Sequence, residues 1–443
     1  ADNSGTDTDS EVFAKRFLYQ NSKIDVTTAG SVKAELDDTQ MNAIDANLKT
    51  PVGLAVTASA QTKDNDTTGI SNSGTVSTDR TVGSDRGGIG LYVDYGYINN
   101  NAAGTVNVEK GTVNNPNDKA IGIFGTNSTK IVNDGKVNAG GKKSIGILGL
   151  SYRLDSKGNL VDHVSEPFAT SAGDFGKIEI TNNKIVTMND DSAIGIYVLN
   201  NSGKASTVRG NNETWATNTA TGTITMNGSN NAIGMAGSKA TLTNAGVINV
   251  NGTKSAGMYV EIANGATGTT TLENKNLISV NQKESVGMYI KNKSGNRDLG
   301  IALNSAPNGK INLEKESTVG IYVDNALGEN KSIINVKKGN SAGMYGSSDS
   351  KITNALKINI SNEKSAGMYA LDSEAINTKD GKIKVDGNSG ATGGSAGMYG
   401  KLTSNAKKDY TILNEGKIIL NSELKNVGIY GETDKNVNHT LTL

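Results

Sequence analysis

A short stretch, Ser255–Val260 (Ser-Ala-Gly-Met-Tyr-Val), returns along almost the whole chain. Its glycine stands in Gly90-Leu91-Tyr92, Gly122-Ile123-Phe124, Gly146-Ile147-Leu148 and Gly195-Ile196-Tyr197. It continues in Gly234-Met235-Ala236, Gly257-Met258-Tyr259, Gly287-Met288-Tyr289 and Gly320-Ile321-Tyr322. The last copies are Gly343-Met344-Tyr345, Gly367-Met368-Tyr369, Gly397-Met398-Tyr399 and Gly428-Ile429-Tyr430. Gly53-Leu54-Ala55 is a weaker copy. A unit that recurs at this length builds a solenoid, in which each repeat buries its apolar face only against its neighbours. From Gly90 to Gly428 is 338 residues in eleven intervals, about 31 each, and the shortest, Gly234 to Gly257, is 23. A core of about 23 residues with variable inserts fits one coil of a β-helix.

The shortest repeat divides into three segments: A (232–237), B (Ala240–Asn244) and C (Val247–Asn251). B and C alternate polar and apolar residues, which predicts half-buried strands. Asn72, Asn133, Asn244, Asn354 and Asn414 fall between B and C. Asn suits a tight corner, and stacked Asn side chains form a hydrogen-bonded ladder. In segment A the residues on either side of the glycine are apolar. Strict alternation sends both into the core and leaves Gly and the aromatic on the outer face. Nine of the twelve strong copies carry Tyr there, so the sequence predicts an outward tyrosine column shielding a glycine column.

The expected architecture is therefore all-β, a parallel β-helix of about 13 coils with loop inserts. Residues 1–50 lack the repeat and read as an N-terminal tail and cap, helical in part at Glu11–Gln20 and Val32–Leu48. A degenerate first coil at Lys23–Thr28 is the alternative. The solenoid is expected to run from Pro51 to residue 443. The final residues, Thr440–Leu443, fall inside a segment B, which suits a fragment or processed form of a longer chain.

The chain carries 44 basic and 44 acidic residues, so nothing in its charge points to nucleic acid or an anionic membrane. It has no cysteine, which is consistent with export to a bacterial surface. The two histidines, His163 and His439, lie far apart and do not suggest a metal site. No Ser/His/Asp constellation is present to support nucleophilic catalysis, and no cofactor is implied. Asp190-Asp191 is one adjacent carboxylate pair of the kind that flanks a sugar bond in β-helix enzymes, or else a polar corner. The tyrosine column reads either as a stabilising ladder or as a platform for sugar rings.

The inserts carry the stronger candidates. Those near 150–176, 199–212, 262–268, 291–298 and 401–408 all follow segment A, so they leave one edge of the solenoid, while the inserts at Lys110–Asp118 and Asn388–Gly394 lie between C and A. They hold Tyr152, Arg153, His163, Phe168, Arg209 and Arg297, with Trp215, the single tryptophan, just beyond the second. Trp, Tyr and Arg dominate binding hot spots, and these seven residues are the candidate ligand-binding set.

Segments such as Lys364-Ser365-Ala366-Gly367-Met368-Tyr369, preceded by Lys357-Ile358-Asn359-Ile360, resemble the passengers of the large fusobacterial type V (monomeric) autotransporter adhesins, over roughly residues 50–443. The resemblance implies a right-handed parallel β-helix. It implies an extracellular passenger, held at the outer membrane only through a C-terminal β-barrel that lies outside this sequence. It also implies a role in virulence through adhesion to a host cell-surface protein or glycan, or to other bacteria. The leading expectation is a non-catalytic adhesin. A polysaccharide-cleaving β-helix enzyme and a pure structural spacer remain the alternatives.

Overall fold

The structure is a computed structural model. It describes residues 18–20, 23–36, 52–57, 68–80, 88–94, 96–108, 120–126, 129–151, 178–200, 214–266, 268–386, 393–420, 425–435 and 437–443. The chain divides into two units. One holds most residues up to Gly228; the other is essentially Ser229–Leu443 with Asn218–Ala220. Each unit by itself is a parallel β-helix whose A, B and C strands enter three separate sheets in strict rotation.

In the first unit the A sheet begins at Leu18–Gln20, the B sheet at Lys23–Val26 and the C sheet at Ser31–Leu36. These strands replace the expected cap with the alternative, a degenerate first coil that includes Lys23–Val26. Leu18–Gln20 and the start of the Val32–Leu48 segment are not helical, and a first coil is already in place before Pro51. The rest of that region lies outside the described residues. In the second unit the A sheet runs from Ile233–Ser238 to Val427–Thr433 and the C sheet from Val247–Val250 to Lys417–Leu420.

A single coil shows why the modest apolar content suffices. In Ala342–Ser347, Lys351–Asn354 and Lys357–Ile360 the inward residues are Met344, Ile352, Asn354, Ile358 and Ile360, all fully buried. B and C strands follow the predicted alternation, outward then inward. From Gly69–Asn72 to Tyr410–Asn414 the last residue of each described B strand is Asn. Burying an amide is costly unless its groups are bonded, and here they are. Asn72 Nδ2 donates to Asn100 Oδ1, Asn100 to Asn133 and Asn133 to Asn182, at 2.7–2.8 Å. In the second unit the chain of bonds runs Asn218, Asn244, Asn274, Asn304, Asn330, Asn354, Asn377 and Asn414, again at 2.7–2.8 Å. The predicted ladder is present in both units.

A second ladder was not foreseen. Where C turns into A, a buried Ser stands two residues before the repeat glycine. The Ala232 N–H donates to Ser255 Oγ (2.9 Å), the Ser255 N–H to Ser285 Oγ (3.1 Å), and the Ser341 N–H to Ser365 Oγ (3.3 Å). The preceding residue takes a left-handed conformation in coil after coil, at Asn231, Lys254, Glu284, Ser317, Asn340 and Lys364.

Segment A departs from the expected pattern. Its burial reads intermediate, buried, buried, intermediate, as in Val319–Asp324 and Ala366–Leu371. The glycine and the residue after it both face inward, so the alternation slips by one as at a bulge. A methyl group on Gly320 would stand 2.5 Å from the Gly343 carbonyl oxygen and 2.9 Å from Ile334 Cγ2. The glycine therefore makes room for the C-strand Ile or Val of its own coil. The residue before it, not the glycine, shares the outer face with Tyr.

Two outcomes follow. Asn304→Ala strands its ladder neighbours and should lower stability by about 1–3 kcal/mol, whereas Asn359→Ala, on the outer C face, should stay within about 0.5 kcal/mol, both read by urea unfolding. Gly320→Ala should cost about 1–3 kcal/mol by overpacking. Gly428→Ala, which meets nothing within 4 Å, should be close to neutral in the same assay.

Candidate functional site

The second unit presents two distinctive surfaces: the corner where A turns into B, and the outer face of the A sheet. At the first, two inserts are tied down by side chains of the coils themselves. Asn292, buried at the end of its A strand, accepts from the Ser294 N–H (2.9 Å) and donates to the Asn296 carbonyl (2.8 Å). This shapes the insert that ends in a short 3-10 turn at Arg297–Leu299. Four coils on, Asp372 holds the insert at 403–409, accepting from the Thr403 N–H (2.7 Å) and hydroxyl (2.6 Å).

Between these inserts lie three coils that turn the corner without one. Arg297 reaches across them to Asp349 (3.8 Å) and Glu374 (3.6 Å). Lys408 comes from the other side to the same two carboxylates, at 2.7 and 3.8 Å. Its ammonium also lies 5.5 Å from the centre of the Tyr410 ring. Arg297 is 26% exposed and Lys408 42%, so the group forms a half-exposed charged rim rather than a buried network. Isolated pairs of this kind contribute about 0–1 kcal/mol each. Their joint effect is to order the rim.

Of the candidate set, Arg297 sits in this rim. Trp215 begins a B strand, half-buried, with Ala216 turned inward behind it. Tyr152, Arg153, His163, Phe168 and Arg209 lie outside the described residues. His439 stands beside Asp409, 3.6 Å away. Asp190 and Asp191 act as a corner tie: Asp190 Oδ2 accepts from the Gly141 N–H (2.7 Å) and the Asp191 carbonyl from the Lys143 N–H (3.0 Å). Among the described residues no group of three or more His, Cys, Asp or Glu could hold a metal ion, and no helix is long and apolar enough to cross a membrane.

On the outer A face the rings of Tyr259, Tyr289, Tyr322, Tyr345, Tyr369, Tyr399 and Tyr430 follow one another at 4.5–5.3 Å between centroids. That matches the strand spacing of about 4.8 Å. The rings therefore pack on each other, some stacked and some edge-on, and most are half-buried. This is the arrangement of a stabilising ladder. Burial raises the phenol pKa of Tyr322, Tyr345 and Tyr369 above the ordinary value. Tyr410, on the B sheet, is pushed up to about 12 by burial and then by the nearby charge of Asp349. Its hydroxyl is buried without a well-formed hydrogen bond.

The rim was only partly legible. Arg297 was found from its insert, but Asp349, Glu374 and Lys408 lie 52 to 111 residues away in sequence (349 − 297 and 408 − 297) and meet it only through stacking. In comparisons with known proteins, no family model, no curated protein and no solved structure matched the chain.

The raised phenols predict alkaline lability. An unfolded Tyr titrates near 10, so the folded state holds more protons than the unfolded one above that pH. The stability these groups contribute is complete below about pH 10 and is lost as pH rises toward their folded values. Followed by circular dichroism and phenolate absorbance, ionisation of Tyr322, Tyr345 and Tyr369 should coincide with unfolding. Tyr410→Phe, which deletes an unpartnered hydroxyl, should leave neutral-pH stability unchanged or raise it by up to about 1 kcal/mol. If a Tyr322→Phe/Tyr345→Phe/Tyr369→Phe variant loses phenolate signal already near pH 10, while the parent's fold is intact there, the packing described is contradicted.

Proposed function

We propose that the chain is a non-catalytic bacterial cell-surface adhesin passenger. It binds a host-cell receptor or glycan, or a partner bacterium, through inserts carried along one edge of a rigid β-helix. The observation that carries this reading is the rim at the A-to-B corner. Inserts four coils apart are each anchored by a coil residue and converge through Arg297 and Lys408 on Asp349 and Glu374. A spacer needs tight corners, and the B-to-C corner supplies them, with links of five residues at most, as in 305–309. Ordered inserts at the A-to-B corner, tied to one another by charge, are what a recognition surface adds. Partly exposed Arg and Lys beside an aromatic are suited to hydrogen-bonding and ion-pairing with a partner. The repeat's resemblance to autotransporter adhesin passengers points the same way.

The test is binding of the purified protein to a glycan array and a panel of host receptors, followed by variants. On a ligand found there, Arg297→Ala/Lys408→Ala, or replacement of the 150–176 insert by a short turn, should weaken affinity at least about tenfold, equivalent to about 1.4 kcal/mol. A ligand bound equally well by both variants would show that the insert edge is not the binding edge.

A further inference from the structure

The second unit has another concave surface, at the corner where C turns into A and on the A face next to it. Two hollows meet there and share Asn340 and Lys364. The corner hollow measures about 430 Å³ and the trough beside the tyrosines about 480 Å³. Both fall in the range of small-ligand sites, about 300–1,000 Å³.

The trough exists because of one residue position. The residue before the repeat glycine faces outward, and in the coils at Val286 and Val319 it is β-branched. At Ala342, Ala366 and Ala396 it shrinks to a methyl, and the trough runs over those three coils, with Val319 and Tyr322 at its end and Tyr345, Tyr369 and Tyr399 along one side. The corner hollow is charged. Lys283, Lys315, Lys338 and Lys364 line it, against Glu316 and Glu363. The Glu363 carboxylate is already engaged by the Gly393 N–H at 3.0 Å. None of the four lysines forms an ion pair with a described residue, unlike Lys337 and Lys384 nearby. Lys364 is also held in place. Its backbone is left-handed (φ 51°), its N–H donates to the Gly394 carbonyl at 3.2 Å, and its stem lies over Gly393, where a methyl would stand 2.8 Å from its Cγ and Cε.

We propose that these joined hollows bind an acidic oligosaccharide, with a carboxylate or sulfate at Lys338 and Lys364 and the adjoining sugar in the alanine-floored trough. The apolar floor and aromatic side take a sugar's C–H face. The amides of Gln282, Asn340 and Asn362 offer donors and acceptors for hydroxyls, and the four exposed lysines supply positive charge and N–H donors for a negative group. A peptide has no strand edge to extend here, since the A strands on both sides of each of these coils are already paired. The site is separate from the insert rim and does not depend on it.

Calorimetric titration of the whole chain tests this, using a galacturonate oligosaccharide, a heparin-derived oligosaccharide and a neutral xylan oligosaccharide of equal length. One or both acidic sugars should bind, with affinity falling as salt is raised, and the neutral one should not; which acidic sugar wins tells carboxylate from sulfate. Lys338→Ala/Lys364→Gly, where glycine accepts the left-handed backbone, should weaken binding at least tenfold. Ala342→Val/Ala366→Val narrows the trough with the residue that the coils at Val286 and Val319 already carry at this position, so it should fold as before and also weaken binding at least tenfold. Arg297→Ala/Lys408→Ala should bind the acidic sugar unchanged, which keeps this result apart from any failure of the insert rim. The proposal is overturned if neither acidic sugar binds at millimolar concentration, if the folded variants bind like the parent, or if polyglutamate competes as strongly as the sugars, which would mean an acidic peptide site.

Discussion

Every corner of a parallel β-helix has to turn the chain without leaving polar groups stranded in a thin core. This protein meets that constraint with side chains that repeat from coil to coil. The buried Asn column is the clearest case. Most of these amides bond the next amide and also a backbone carbonyl of the following coil, as Asn304 Nδ2 does with the Ile333 oxygen. The core holds only about five inward side chains per coil, so an unpaired amide there would offset much of what that coil gains from apolar burial. The Ser column at the opposite corner works on the same principle, using a hydroxyl to receive the N–H of the coil before. Surface loops can vary because these two columns fix the stacking beneath them.

The slip in segment A shows how a missing side chain does structural work. Glycine contributes nothing to the core itself, yet its absence of Cβ admits the Ile or Val of the C strand. The residue after it then fills the centre, and Tyr is turned outward onto its neighbours. One residue type thus sets the width of the coil, the position of the core and the outward column together. The same slip puts the preceding residue on the surface, where a change from Val to Ala opens a trough without touching the interior.

Much of this was legible from residue spacing. The rotation of A, B and C, the corner Asn residues and the outward tyrosines all follow from a period of two interrupted at a fixed interval. The direction of the glycine did not, because alternation arguments rely on side chains to show which way a residue faces, and glycine has none. Nothing in the sequence marks Ser255 and its equivalents as buried; only the structure reveals a ladder. Leu18–Gln20 and Ser31–Leu36 were read as part of a cap because these first coils lack the Gly-Ile-Tyr signature while keeping the strands. The rim around Arg297 joins four coils, and sequence distance hides such a meeting even when each member lies in an insert or corner already suspected.

The amide columns also carry a direction. In the core, each Asn gives its N–H to the coil that follows, and backbone contacts such as the Gly74 N–H on Asn72 Oδ1 allow no other orientation. On the outer C face the order is reversed: Asn335 donates to Asn312 and Asn359 to Asn335, each toward the coil before. Inner and outer columns are thus opposed rows of dipoles whose fields partly cancel. The core column keeps one sense over every coil it joins, whereas the outer row of the second unit is short, from Asn359 to Asn312. That single sense makes each coil a vectorial part, which can be exchanged for another in the same sense but cannot be inserted backwards.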